Sequence, residues 1–359
     1  MTKARFPVSK SNLPVWKRIL SRQRTHRDLP SLEIEHEGGK MAKLKLALYW
    51  AASCGGCDVA VLDVNEKILD IANIADIVFW PIAMDFKYHD VEAMKDDSID
   101  VCLFNGAVRN SEQEKIANLL RKKSKVMVAF GSCACFGGIP ALGNFWDRTT
   151  IFERAYIEAP SNDNQARTFP QTEIKLDGVE LELPQFYDTV STLAQVVPVE
   201  YFVPGCPPPV DLILKVVDAL ATSQLPPIGS VIASEKSLCD ECDRVKEDKK
   251  ITKIYRPHEI IPDPKRCLLE QGIICLGPAT RGGCGARCIK VNMPCRGCFG
   301  PPAGVVDQGA KMLSALASIY DVDDEREIAR MVEEVVDPAG TFYRFGMSSS
   351  LLKRRRMQT

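Results

Sequence analysis

Ser53-Cys54-Gly55-Gly56-Cys57-Asp58 places two cysteines between a predicted strand and a predicted helix, and this arrangement indicates the fold of the chain. It follows an apolar run, Leu44 to Trp50, that predicts a buried strand, and it precedes Val59 to Ala72, whose apolar spacing predicts a helix. The two cysteines therefore lie on a strand-to-helix turn. Its glycines leave room for a bulky group close to the backbone. The helix N-terminus favours negative charge, so it favours a thiolate there.

Taken alone, this CxxC fits a redox dithiol, half a zinc site or a tight turn. Two later cysteines help to choose among these three kinds of site. Cys133 follows the strand-like run Lys125 to Phe130, and Cys206 follows the apolar run Val196 to Val203. In an open parallel sheet, loops at the carboxyl ends of strands lie on one edge, where ligands bind. We therefore expect four thiolates from three loops to converge on one metal centre.

Strand and helix patterns alternate from residue 44 to about 225, which predicts an α/β fold. The predicted elements include strands at Asp76 to Ile82 and Ile99 to Phe104, a helix from Ser111 to about Arg121, a hairpin within 175–181, and a helix begun by Pro207 to Pro209. We expect a flavodoxin-like, doubly wound parallel sheet domain over residues 42–225. A basic, flexible extension or partner-binding arm precedes it, at residues 1–41.

A Cys-rich, mostly irregular and helical domain is expected over residues 226–345, with a basic tail at 346–359. Eight cysteines fall within residues 239–298, two pairs of them as CxxC. The segment has little periodicity, so a conventional apolar core is not evident, and such a segment usually folds around a metal. Helical patterns follow at Ala303 to Ile319 and Asp324 to Val336.

Composition excludes several classes of protein. The 359 residues carry a net charge of −1, which gives no reason to expect a nucleic-acid partner. No apolar run reaches the roughly 20 residues that span a bilayer. Disulfides are a poor explanation for the 14 cysteines, because the chain is large and opens without a secretory segment.

Twelve of the cysteines divide into three sites of four. Zinc is the main alternative to iron–sulfur, since CxxC pairs often hold structural zinc. Three sites in one chain, one of them at a sheet edge, favour electron transfer, and an iron–sulfur cubane needs more widely spread thiolates than a zinc ion does. Two cysteines are left over. Cys102 lies in an apolar strand and is interpreted as a buried small hydrophobe, and Cys135 is a second choice for the role of Cys133.

The motifs resemble those of the small, electron-transferring subunit of NiFe hydrogenases. The resemblance covers roughly residues 42–302 and is closest to the cytoplasmic, methyl-viologen-reducing type that works with heterodisulfide reductase. The deazaflavin-reducing type is a near neighbour. The resemblance rests on four motifs: Ser53 to Asp58, Gly131-Ser132-Cys133-Ala134 with Gly137-Gly138-Ile139-Pro140, Pro204-Gly205-Cys206-Pro207-Pro208, and Pro294-Cys295-Arg296-Gly297-Cys298.

The resemblance implies three 4Fe-4S clusters, each held by four cysteines. The proximal set is Cys54, Cys57, Cys133 and Cys206; the medial set is Cys284, Cys288, Cys295 and Cys298; the distal set is Cys239, Cys242, Cys267 and Cys275. It further implies a large subunit that holds the NiFe centre and covers the proximal set, and an iron–sulfur or flavin subunit that accepts electrons. No large-subunit pattern of two CxxC pairs near opposite chain ends remains here, so this chain is not expected to split dihydrogen itself.

Three positions refine what the resemblance implies. Cys239 replaces a frequent His, and Cys288 replaces a frequent Pro. Each adds a thiolate, which lowers a cluster's reduction potential and suits a low-potential acceptor. Asp58 is a candidate for proton transfer, or else simply a favourable charge at a helix N-terminus.

Three other functions compete with that of a hydrogenase subunit. They are a free-standing iron–sulfur carrier, a subunit of another oxidoreductase such as a quinone-linked complex, and a zinc-stabilised scaffold.

Overall fold

The computed structural model describes residues 36–37, 40–41, 43–222, 224–322 and 324–352. Its strands are β1 (His36–Glu37), β2 (Lys40–Met41), β3 (Leu44–Trp50), β4 (Ala75–Phe79), β5 (Ile99–Asn105), β6 (Val108–Asn110), β7 (Ser124–Phe130), β8 (Glu173–Leu176), β9 (Val179–Glu182), β10 (Phe186–Ser191) and β11 (Tyr201–Val203). Apart from β1 and β2, the expected extension at residues 1–41 lies outside the described residues, as does the basic part of the tail, 353–359.

The α-helices are short, and most lie in the first 225 residues. They are α1 (Gly56–Leu62), α2 (Ile68–Ile74), α3 (Tyr88–Ala93), α4 (Ser111–Lys123), α5 (Ser132–Phe136), α6 (Arg148–Phe152), α7 (Leu193–Val196), α8 (Val210–Ala221), α9 (Arg287–Lys290), α10 (Gln308–Ala317), α11 (Glu325–Glu333) and α12 (Pro338–Phe342). Segments of 3-10 helix occur at Asn65–Lys67, Ile139–Phe145, Leu238–Asp240, Leu269–Gln271 and Gly277–Ala279, and a π-helix occurs at Glu153–Glu158. None of the described helices is long and apolar enough to cross a bilayer.

Five parallel strands form the central sheet in the order β11-β7-β5-β3-β4. Counted along the chain, this is the order 2-1-3-4-5 of flavodoxin-like folds. The strand order reverses between β3 and β5, and ligands bind at such a point, beyond the carboxyl ends of the strands. The predicted flavodoxin-like class is confirmed, and the CxxC turn that follows β3 lies at the reversal.

Helices bury both faces of the sheet. Leu48, Val101 and Val128 face α1, α2 and α8 on one side. Tyr49 and Phe104 face α3, α4 and α7 on the other side. Each fully buried large apolar side chain contributes about 1.5–3 kcal/mol. The two layers therefore hold the strand ends, and the loops that follow them, in fixed positions.

Three sequence predictions for this domain are wrong in detail. The helix expected over Val59 to Ala72 is two helices, because α1 ends at Leu62 and Asn65 adopts a left-handed φ of 53°. The strand expected over Val196 to Val203 is confined to β11, because α7 occupies Leu193–Val196. The predicted strand over Asp76 to Ile82 is also displaced: β4 ends at Phe79 and a turn follows.

The Cys-rich region has an apolar core, which the sequence did not lead us to expect. Buried side chains of Leu268, Ile273, Met312 and Phe342 pack with the thiols of Cys275 and Cys295 and their neighbours. The two predicted helices exist in shortened form, as α10 and α11. The cysteines are thus part of the packing of this region and do not only line its surface.

Residues 346–350, predicted as part of the tail, pack against the first domain. Met347 is fully buried in a cluster that includes Cys133 and Val190. The Ser348 hydroxyl donates to Val190 O at 2.6 Å, and Gly138 N donates to Phe345 O at 3.1 Å. The C-terminal segment therefore supports the loop that carries Cys133.

Candidate metal centres

The proximal set is gathered by three loops at the carboxyl edge of the sheet. Cys57 lies in the first turn of α1, Cys133 lies in the first turn of α5, and Cys206 follows β11. Two backbone bonds tie the second and third loops together: Gly131 N donates to Val203 O at 2.8 Å, and Ser132 N donates to Gly205 O at 2.7 Å. Burial raises the pKa of Cys57, and the nearby thiols of Cys133 and Cys206 also contribute to the increase.

Glycine is required at two positions beside these thiols. A Cβ at Gly131 would lie 2.3 Å from Cys57 Sγ, and one at Gly138 would lie 2.4 Å from Cys133 Sγ. Both glycines also have positive φ values, 85° and 58°. A side chain at either position would occupy the space of a thiol and strain the backbone.

Asp58 is buried and has two hydrogen-bond donors that the sequence did not predict. Trp80 Nε1 donates to Oδ1 at 2.9 Å, and Asn105 Nδ2 donates to Oδ2 at 2.6 Å. Trp80 follows β4 and Asn105 ends β5, so both reach Asp58 from neighbouring strands. Nothing in the spacing along the sequence could have identified them, because only the strand order brings them together.

The two remaining cysteines are buried among apolar residues. Cys135 Sγ donates to Ala129 O at 3.2 Å and packs with the apolar residues beneath the sheet. Cys102 is fully buried within β5, and burial raises its pKa to about 12. The interpretation of Cys102 as a small hydrophobe agrees with this, and Cys133 is better placed than Cys135.

The distal set lines one cavity. All four of its thiols border a space of about 250 Å³, together with apolar residues such as Leu268 and Ile319. The pKa of Cys239 is raised, first by burial and then by Cys267 and Cys242, although the charge of Lys246 opposes this. Burial raises the pKa of Cys275 to about 11.

The medial set lies around α9. The pKa of Cys298 is raised to about 12, first by burial and then by the nearby thiols of Cys284, Cys206 and Cys288. The pKa of Cys295 is well above its usual range because of burial and then because of Cys275, with Cys298 adding a smaller effect. These thiols stay protonated at neutral pH unless a cation replaces the proton, as metal binding to cysteine requires.

Short contacts connect each set to the next. The Ser132 hydroxyl, beside Cys133, donates to Cys298 O, and the backbone of Cys206 donates to the Cys298 thiol. Cys295 N donates to Cys275 Sγ at 3.3 Å. The order of the sets in space is therefore proximal, medial, distal.

No three His, Cys, Asp or Glu side chains of the described ranges are arranged to hold a single metal ion. The three sets are groups of neighbouring thiols. Which of them bind metal, and of what kind, stays a prediction.

Comparison with known proteins relates this arrangement to a family. A family model described as "NADH ubiquinone oxidoreductase, 20 Kd subunit" matches residues 54–220. The iron–sulfur G subunit of the F420-non-reducing hydrogenase of Archaeoglobus profundus is 43% identical over 318 residues, covering 87% of this chain and 98% of the relative. This chain belongs to the family of F420-non-reducing hydrogenase G subunits.

Two further G subunits support the assignment. The one from the F420-non-reducing hydrogenase of Methanothermobacter thermautotrophicus is 36% identical over 315 residues, covering 86% of this chain and 96% of its own length. The one from the F420-non-reducing hydrogenase vhu of Methanocaldococcus jannaschii is 34% identical over 312 residues, covering 87% and 98%. The resemblance to the small subunit of methyl-viologen-reducing hydrogenases is confirmed, and the chain is a subunit of an oxidoreductase.

The extent of the matches distinguishes the two halves of the chain. The family model begins at Cys54 and ends before Cys239, so it contains the proximal set and neither of the others. The G-subunit relatives match about 315 residues and extend over the Cys-rich region as well. The eight cysteines of residues 239–298 therefore fall in a part of the chain that the G-subunit relatives match and the family model does not.

Proposed function

We propose that this chain relays electrons from a NiFe hydrogenase large subunit through three 4Fe-4S clusters to an acceptor module of the heterodisulfide reductase type. The observation that carries the proposal is the order of the three sets. Ser132 and Cys206 contact Cys298, and Cys295 contacts Cys275. Residues of neighbouring sets are thus joined by hydrogen bonds, which supports a relay that passes from one set to the next.

The residues present fit iron–sulfur clusters. Thiolates are the usual ligands of such clusters, and each set supplies four. The distal set already borders a cavity of about 250 Å³, and glycines at 131 and 138 keep side chains away from the proximal thiols. When bound, the clusters supply one-electron carriers whose potentials depend on charge, hydrogen bonds and exposure. The protein holds them, orders them and limits their contact with water.

A large subunit would cover the proximal set. Cys54 and Cys206 are exposed there, and so are apolar side chains on the surrounding loops and on α1. Trp50 is 40% exposed and its indole donates to Ser53 O, directly beside the CxxC turn. Val59 and Leu62 on α1, and Ile139 and Trp146 in the segment that follows Cys133, are also exposed apolar residues. An apolar surface of this kind is typical of a stable protein interface.

An acceptor subunit would approach the distal set. Cys239, Cys242 and Cys267 are only partly buried. Thiolates at Cys239 and Cys288 give the distal and medial clusters more negative charge than His or Pro would, which lowers their potentials. The relatives' names state that those enzymes do not reduce F420, which favours the methyl-viologen-reducing type over the deazaflavin-reducing one.

A subunit of a quinone-linked oxidoreductase is the second candidate, because the family model of residues 54–220 carries that description. Anaerobic purification of the native complex separates the two. We expect brown protein with about twelve iron atoms per chain, copurifying with a nickel-containing subunit. Iron–sulfur protein without a nickel subunit supports the second candidate. Colourless protein that contains only zinc contradicts both.

A further inference from the structure

Arg244 is a buried cation that joins three segments of the Cys-rich region. Its Nη1 donates to Asp263 O at 2.8 Å and to Arg266 O at 2.9 Å. Its Nη2 donates to Ile289 O at 3.2 Å and to Asn292 Oδ1 at 2.6 Å. Only 9% of the residue is exposed, and its Nε is buried without a partner.

The guanidinium of Arg244 has no counter-ion within the described part of the chain. Its four acceptors are three backbone carbonyls and a side-chain amide, all neutral. By contrast, the buried Arg121 pairs with the carboxylate of Glu200 at 2.6 Å. A buried charge is costly unless it is paired, and a lone buried cation indicates that an anionic group is missing from its surroundings.

The cavity of the distal set supplies the place for that anion. Arg244 borders the same space of about 250 Å³ as Cys239, Cys242, Cys267 and Cys275. The four thiolates and the four sulfides of a 4Fe-4S cluster would together carry more negative charge than its irons neutralise, and each added electron would make the ligated group more anionic. The unpaired cation and the unpaired anions therefore lie at the same site.

We propose that Arg244 is a buried counter-cation of the distal set, in addition to Lys246, which borders the same cavity. Its charge stabilises the ligated, reduced group more than the oxidised one, and so raises the reduction potential of that site. It thereby offsets part of the negative charge that Cys239 adds. The hydrogen bonds to residues 263, 266, 289 and 292 hold the guanidinium in place. Arg244 is a positioning and charge-setting residue, and this inference rests on the proposed cluster at the distal set.

The test compares Arg244→Gln, which removes the charge, with Arg244→Lys, which keeps it. Arg109→Gln is the matched control, because Arg109 is also buried with an unpartnered Nε but lies in the first domain against Phe186. Each variant is purified anaerobically as the native complex. Iron content and an EPR-monitored redox titration of the distal signal are measured. If the native protein shows no iron–sulfur signal, the proposed function is wrong, and that result is distinct from any effect of the Arg244 variants.

We expect Arg244→Gln to shift the reduced-to-oxidised ratio of the distal cluster about tenfold toward the oxidised form, about 59 mV for one electron. Arg244→Lys and Arg109→Gln should stay close to the native potential. Loss of the distal cluster in Arg244→Gln but not in Arg244→Lys also supports the proposal, because it shows that the cluster needs a positive charge at this position. An unchanged potential in the Gln variant, or equal cluster loss in the Gln and Lys variants, overturns the proposal, since only hydrogen bonding or packing would then matter.

Discussion

Gly131 is the residue at which a single added carbon has the clearest consequence. In Gly131→Ala the new Cβ would lie 2.3 Å from Cys57 Sγ, with φ at 85°. We expect the variant complex to lose the proximal cluster, which would remove about four of about twelve iron atoms per chain. Iron analysis and EPR spectroscopy measure this.

Gly178→Ala is the control for that substitution. Gly178 has a nearly equal φ of 86°, but no atom lies within 4 Å of its added Cβ. The control therefore carries the backbone strain without the steric conflict and should keep all its iron. If Gly131→Ala also keeps its full iron content and proximal signal, the proposed place of Cys57 among the ligands is wrong.

Asp58 allows two hypotheses to be separated by one substitution. In the native protein, the indole N–H of Trp80 and the amide of Asn105 each donate to one oxygen of the Asp58 carboxylate. In Asp58→Asn, an amide nitrogen replaces one of these oxygens and faces one of these two donors. A buried donor left without an acceptor costs about 1–3 kcal/mol. We expect lower thermal stability and unchanged dihydrogen turnover in complexes with intact clusters. A large fall in turnover at full cluster content would instead support the proton-transfer role.

Single residues could be predicted from the sequence where the chemistry is local. The cysteines could be grouped from their type and spacing, and their role as ligands stays a prediction. Trp80 and Asn105 were not predicted as partners of Asp58, because they reach it from two other strands. The same holds for Arg244, whose hydrogen bonds extend to residues 263–292.

Among the elements, α4 is joined to the strands beneath it by a buried ion pair. Glu200 Oε2 accepts from Arg121 Nη1 at 2.6 Å and from Met127 N at 2.7 Å. Glu200→Ala leaves a buried guanidinium without its partner, which costs about 3–5 kcal/mol. Urea unfolding should show that loss.

An exposed pair provides the comparison. Asp70→Ala removes a salt bridge in which Lys67 Nζ lies 3.0 Å from Asp70 Oδ2 and both side chains are exposed. We expect this substitution to change the free energy of unfolding by about 0–1 kcal/mol. Equal losses in the two variants would mean that the Glu200 carboxylate contributes no more than a surface charge.

Elements with strong periodicity were predicted well, and those with local interruptions were not. The β3 strand and the β8–β9 hairpin have the predicted positions. The helix after the CxxC turn was predicted as one because its apolar spacing continues across Asn65, where the backbone turns left-handed. The apolar run before β11 was predicted as strand because hydrophobicity alone does not distinguish it from the short helix α7.

For the molecule as a whole, metal should stabilise the second half of the chain more than the first. Cys275 and Cys295 belong to the apolar core of the Cys-rich region, whereas the sheet domain has two cores of its own. Removing iron should therefore loosen residues 239–298 first, since metal-binding free energy is also folding free energy. Hydrogen exchange of the native and iron-depleted complex measures this. Equal loosening of β5 and β7 would contradict it.

The packing of residues 346–350 has a consequence for how the protein is made. Met347 and Phe345 complete the surroundings of Cys133, more than 200 positions earlier in the sequence. A ribosome-bound chain can form its sheet as soon as β11 has emerged, yet the loop that carries Cys133 lacks one wall until residues 345–350 have been made. A cofactor delivered to that loop before then would meet an open site, so we expect its insertion to follow the synthesis of this segment.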